Sequence, residues 1–184
     1  TGALAYAYPG RTDTLDNIRR AITTYRQETG VAPGLLFFDG AKGGPEVAAS
    51  MAQLPDHVIP WKIEEAGSTG PEIWLSAMAY GASSVTVLTT TETPASVVSS
   101  ITDQIGQVNT FLCGLGWNES LVDWVISQKL IGRLSSIAAE VSPNAKYATF
   151  GGMDEKRAVL RAAIDHLIGQ AADPPTEIAM PSGS

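Results

Sequence analysis

Three short stretches of this 184-residue chain carry small and polar residues in arrangements that anion chemistry uses. They are Asp39-Gly40-Ala41-Lys42-Gly43-Gly44, Glu65-Ala66-Gly67-Ser68-Thr69-Gly70 and Thr89-Thr90-Thr91-Glu92-Thr93. A proline follows each directly: Pro45, Pro71 and Pro94. Proline is tolerated in a first helical turn, so each stretch leads into a helix N-terminus. There the helix dipole and free N–H groups favour an anion. The candidate ligand contacts are Asp39, Gly40, Lys42, Gly43 and Gly44 from the first stretch. Glu65, Gly67, Ser68, Thr69 and Gly70 come from the second, Thr90 and Thr91 from the third. Lys42 is the only cation among them, which makes the anion preference modest. Glu65 is the candidate contact for a polar group.

The same residues are also what caps and tight turns require. The first stretch lacks the GxxxxGK[ST] order of a phosphate loop, and no GxGxxG is present. Gly67-Ser68-Thr69-Gly70 lacks the GxSxG spacing of a serine elbow. No nucleophile has an evident base partner, so no catalytic residue is assigned and the balance tips away from an enzyme. His57 and His166 have no partner at metal spacing and read as structural or solvated. The single cysteine, Cys113, excludes a disulfide framework and a cluster held by thiolates of this chain alone. Its neighbours Phe111, Leu112 and Leu115 make it read as a buried, inert thiol. With 12 Lys+Arg against 19 Asp+Glu, the net charge of −7 argues against a nucleic-acid footprint.

Elements with a shared grammar position the three stretches. Thr14 is a candidate cap for a first helix bearing Leu15, Ile18, Ile22 and Tyr25, which Gly30 ends. Residues 34–38 form a continuous apolar run, as in a strand covered on both faces. A helix with Val47, Ala48, Met51 and Leu54 follows. Residues 57–63 are a second strand, in which Pro60 points to an edge or a bulge. A helix through Ile73, Leu75, Met78 and Ala79 then stops at Gly81. Residues 84–88 make a third strand, and Pro94 opens a helix reaching about Leu115. Asn118 or Ser120 starts the next element. Residues 121–126 are open between strand and helix. A helix with Leu130, Leu134 and Ile137 is expected to end near Glu140, and a last one to cover 154–168, with Glu155, Lys156, Arg157, Arg161 and Asp165 on a solvated face. This alternation predicts an α/β three-layer sandwich of the Rossmann or flavodoxin kind, a mostly parallel sheet with helices on both faces. The three stretches then meet at the C-terminal ends of the strands. One α/β domain is expected over 11–171, between a linker over 1–10 and a Pro-rich tail over 172–184.

The strand at 35–38 with its Asp39-Gly40 turn, the run 63–70 and the run 73–82 together resemble a known family. This is the non-cluster domain of multidomain bacterial 4Fe-4S ferredoxin-like proteins, itself similar to the delta-subunit domain of methyl-viologen-reducing hydrogenase. The resemblance covers about residues 30–140. Thr1-Gly2-Ala3-Leu4 looks like the sequence that follows the last Cys-Pro of a bacterial cluster motif, which implies cluster modules outside this chain. In the hydrogenase family the three loops carry cluster-holding cysteines. Here they carry Asp39, Ala41, Ala66, Gly67 and Thr89 to Thr91, so ligation is not carried over. The resemblance implies a scaffold or docking role in an iron–sulfur electron-transfer protein. No cofactor is expected in this fragment, 4Fe-4S clusters are expected in the rest of the parent chain, and the partners are ferredoxin modules of the same polypeptide and a redox partner protein. A small-molecule or nucleotide site in the three loops is the alternative. No apolar run approaches membrane-spanning length and no signal peptide is evident, so a cytoplasmic location is expected. A homo-oligomer is left open.

Overall fold

The computed structural model describes residues 10–117, 120–137, 140–141, 146–171 and 177. The expected linker and tail therefore lie outside the described residues except at Gly10 and Glu177, and so does Asn118. The elements run α1 (Arg11–Thr29), β1 (Val31–Ala32), β2 (Gly34–Asp39), α2 (Gly44–Ser50), β3 (Val58–Ile63) and α3 (Pro71–Tyr80). They continue with β4 (Ser84–Thr89), α4 (Ala95–Gly114), β5 (Val122–Ile126), α5 (Leu130–Ser135), β6 (Glu140–Val141) and α6 (Lys156–Gln170). Strands β3-β2-β4-β5 form one all-parallel sheet, while β1 and β6 pair antiparallel beside it. The architecture is the expected α/β sandwich.

Alternation along the strands sorts the side chains into two layers. Leu35, Phe37, Val85, Val87 and Val122 face the larger core with α1, α3, α4 and α6. Leu36, Val58, Leu88 and Val125 face a smaller one with Val47 of α2 and Leu130 and Leu134 of α5. Helix α3 is mostly apolar, and every residue after Pro71 is buried, Glu72 and Ser76 included. A helix buried around its whole circumference must be covered on all sides. The sheet, α1, α4 and α6 do so, together with an extended strap over residues 146–155. The Ala148 N–H donates to Ala79 O (2.9 Å), the Tyr80 hydroxyl donates to Phe150 O (3.0 Å), and the Tyr80 and Phe150 rings lie 5.1 Å apart. Burial pushes the Tyr80 hydroxyl pKa up to about 12.

The two edge strands are blocked differently. The alternating ladder of β2 and β3 begins with Gly34 N–H donating to His57 O. The even-numbered residues of β3 therefore aim their main-chain groups outward. Pro60 is one of them and has no donor to offer, which is how a proline is accommodated at an edge. On β5 the outward pair belongs to Val122. The Asn109 side chain of α4 donates to Val122 O (2.7 Å) and accepts from Val122 N–H (3.1 Å), as a neighbouring strand would. The Trp124 N–H is taken by Asp123 Oδ1 at 2.7 Å.

Several local expectations are corrected. Thr14 does not cap α1: the helix starts at Arg11 with Gly10 at its N-cap, and the Thr14 N–H already donates to Gly10 O. The element left open over 121–126 is strand β5, from Val122 to Ile126. Helix α5 stops at Ser135, because the Ser136 hydroxyl turns back to Arg133 O (2.6 Å), and Glu140 belongs to β6. Cys113 is exposed, not buried, because it follows Phe111 and Leu112 onto the outer side of α4.

Candidate functional site

Because β2, β3 and β4 are parallel, the loops after them emerge at one end of the sheet. They also touch. The Gly40 N–H donates to Ile63 O at 3.2 Å, tying the first loop to β3. In the second loop, the turn Ala66–Ser68 lies against β2, β4 and α4, with Ala66 buried. In an open α/β sheet, ligands settle where neighbouring connections leave for opposite faces. Here that point is between β2, whose chain continues into α2, and β4, whose chain continues into α4. The Ala66–Ser68 turn is packed against both of those strands.

Each loop spends its polar groups on itself. Asp39 is 6% exposed, and its Oδ1 accepts from the N–H groups of Ala41 (2.7 Å) and Lys42 (3.0 Å). Asp39 O accepts from Gly43 N–H, and Lys42 Nζ lies 4.0 Å from Asp39 Oδ2. A side chain at Gly40 would run into that of Lys62, which lies across this turn. In the second loop Glu65 and Ser68 form a capping box, and the Ser68 hydroxyl donates to Glu65 O at 2.7 Å. Thr69 turns inward to accept the Trp74 indole N–H at 3.1 Å. In the third loop the Thr90 N–H donates to Thr93 Oγ1 (3.0 Å) and the Glu92 N–H to Thr90 Oγ1 (3.2 Å). Thr91 is exposed at the tip.

Two of the helix N-termini also offer little to an anion. Helix α2, after Gly43 and Gly44, is seven residues long, too short for much of a dipole. At α3 the chain supplies its own anion. Glu72 sits in the first turn, 2% exposed, with Oε2 only 2.8 Å from where a Gly70 Cβ would stand. A side chain at position 70 would therefore push the Glu72 carboxylate aside. Lys156 Nζ of α6 lies 3.3 Å from Glu72 Oε1, and Gln104 of α4 closes the same corner. Glu72 Oε2 is buried without a hydrogen-bond partner. A second anion at this helix end would meet a buried carboxylate. Lys156, on the exposed face predicted for α6, is thus also the cation that pairs with the buried Glu72. Sequence reasoning passed over Glu72 because an acidic residue in a first helical turn usually faces solvent. The usable signal was its setting at the head of a mostly apolar helix.

A cavity of about 450 Å³ borders the second loop on the β3 side. Thr14 and Asn17 of α1, Trp61 and Lys62 of β3, and Ser68 and Thr69 are among its lining residues. It takes in no residue of the first or third loop. His57 Nε2 lies 3.1 Å from Ile137 O, and His166 lies against Gln170, both structural placements.

The loops do not fit an iron–sulfur cluster. Their side chains at 39, 41, 66, 67 and 89–91 offer no thiol, and Cys113 stands on α4. Among the described residues, no three His, Cys, Asp or Glu side chains are grouped as a metal would need. No described helix is long and apolar enough to cross a membrane. No protein-family model matches the chain, and no curated protein matches it.

Proposed function

We propose that the chain is a non-catalytic scaffold and docking domain of an iron–sulfur electron-transfer protein. It would hold ferredoxin modules of its own polypeptide against a redox partner, without a cluster of its own. The resemblance of residues 30–140 is the starting point. The observation that carries the reading is that the three loops are closed by groups of the chain itself: Asp39, the Glu65–Ser68 box, the Thr90–Thr93 pair, and Glu72 at the α3 N-terminus. A loop set that has filled its own donor sites is suited to holding a shape.

The test is anaerobic reconstitution of the domain with iron and sulfide. The expected product is colourless, and a stable brown holo-protein overturns the proposal. The parent polypeptide is expected to carry Cys-x-x-Cys-x-x-Cys-x-x-x-Cys motifs, and a parent without them also overturns it. The cavity beside Ser68 and Thr69 favours a second reading, a small-molecule or nucleotide site at the loops. A thermal-shift screen with nucleotides and flavins separates the two, since a ligand that binds only the folded state raises the melting temperature.

A further inference from the structure

At the end of the sheet opposite the three loops, a groove of about 550 Å³ runs between α1 and the start of the strap. Arg19, Arg20, Thr23 and Arg26 on one side and Tyr147 and Thr149 on the other are among its lining residues, and among the described residues none that lines it is acidic, although Asp16 lies 3.1 Å behind Arg19. In a chain of net charge −7 this is an unusual concentration of guanidinium groups. Asp16 offsets the charge of Arg19, and the exposed Arg20 carries positive charge at the rim of this concave wall. Its volume falls in the range of small-molecule sites, on the order of 300–1,000 Å³.

The arginines divide by task. Arg26 lies over the Tyr147 ring, 3.0 Å from its centroid, and reaches Tyr80 O at the end of α3. Arg19 donates to Thr149 O (3.0 Å) and to Asp16 (3.1 Å). Those two pin the strap to α1 and build the walls. Arg20 is exposed, and its bonds reach only Asp16 O and Asn17 on its own helix. A guanidinium carries more N–H donors than these bonds use. Along α1, Arg20, Thr23 and Thr24 lie at spacings of three and four, so their donors point from one helix face.

We propose that this groove binds a small molecule through a phosphate or diphosphate group, with Arg20 and the Thr23 and Thr24 hydroxyls as its principal donors. An oxyanion matches a guanidinium fork in geometry and charge. A concave site this size favours a small ligand over an extended polyanion. The proposal is independent of the docking role, because the groove and the loops lie at opposite ends of the sheet.

The experiment titrates inorganic phosphate and pyrophosphate into the labelled wild-type domain and follows its backbone amide NMR signals. Saturable shifts are expected at Thr23, Thr24, Ala148 and Thr149, with pyrophosphate the tighter ligand. Arg20→Gln should weaken pyrophosphate binding roughly tenfold while leaving the fold intact, and Arg20→Lys should recover part of it. Shifts confined to residues 40–44, 67–70 and 90–93 would overturn the proposal in favour of the loops. Absence of saturation, or equal affinity in Arg20→Gln, would overturn it outright. So would binding to anionic phospholipid vesicles with no saturable response to pyrophosphate.

Discussion

Replacing Asn109 with alanine tests whether one side chain closes the β5 edge. The Asn109 amide satisfies both the N–H and the C=O of Val122, a residue with 0% exposure. Removing it strands two buried main-chain groups. Each buried group left unpaired costs about 1–3 kcal/mol, less whatever a water recovers. The expected loss is therefore about 2–4 kcal/mol, and for a chain this size a fall in Tm of about 10 °C. Urea unfolding followed by circular dichroism reads the free energy, and light scattering reads the second consequence. An unblocked edge offers outward groups to another strand, so Asn109→Ala should self-associate more than wild type as concentration rises. Asn109→Asp keeps an acceptor for the Val122 N–H but sets an oxygen against the Val122 carbonyl, and should be at least as destabilised. Thr102→Ala, on the exposed side of the same helix, should stay within about 0.5 kcal/mol of wild type. An Asn109→Ala protein as stable as that control, with unchanged scattering, would refute the reasoning.

Other outcomes follow from single contacts. Gly81 has φ +103° and a Cβ there would stand 2.6 Å from the Tyr147 ring, so Gly81→Ala should destabilise by about 2 kcal/mol or more in urea titrations. Lys156→Met leaves the buried Glu72 carboxylate without its cation, and should cost more than Lys156→Met combined with Glu72→Gln, a sign reversal that a double-mutant cycle measures directly. With the Tyr80 pKa raised to about 12 from an ordinary value near 10, the unfolded chain releases this proton first as pH rises. Tyr80 therefore stabilises the fold fully below pH 10 and loses that contribution between about pH 10 and 12. Tyr80→Phe should flatten the alkaline fall in the urea midpoint relative to wild type. Cys113 should react with a thiol reagent in the native protein nearly as fast as in urea, and strong protection would contradict its placement.

The parallel sheet could be read from the sequence because punctuation and periodicity agree there. Gly30, Pro45, Pro71, Gly81 and Pro94 mark the same boundaries that the apolar runs mark, and Pro60 sits on an edge strand as its missing donor requires. Ambiguity begins where those signals thin out. Residues 121–126 have no flanking proline, and their identity as a strand depends on pairing with β4 and on Asn109, a residue thirteen positions earlier. The strap was invisible for a related reason: it has no period of its own and is held by contacts to Ala79, Tyr80 and Arg19. Cys113 was misplaced because its sequence neighbours are buried, while a helix carries consecutive residues about 100° apart around its axis.

For the candidate site, residue types could be read but their partners could not. Asp39, Ser68, Thr90 and Thr93 have the chemistry of an anion pocket and also that of a self-closed turn. The choice depends on whether their acceptors reach N–H groups of their own loop. They do, at 2.7–3.0 Å in the first loop and 3.0 Å between Thr90 and Thr93. An incoming anion would have to displace bonds already made and, at α3, sit beside the buried Glu72 carboxylate. The groove at the other end starts from the opposite balance, with positive charge held in place by the strap and an exposed arginine bonded only to its own helix. Two ends of one sheet thus divide the roles: one end closes on itself, and the other keeps donors turned outward.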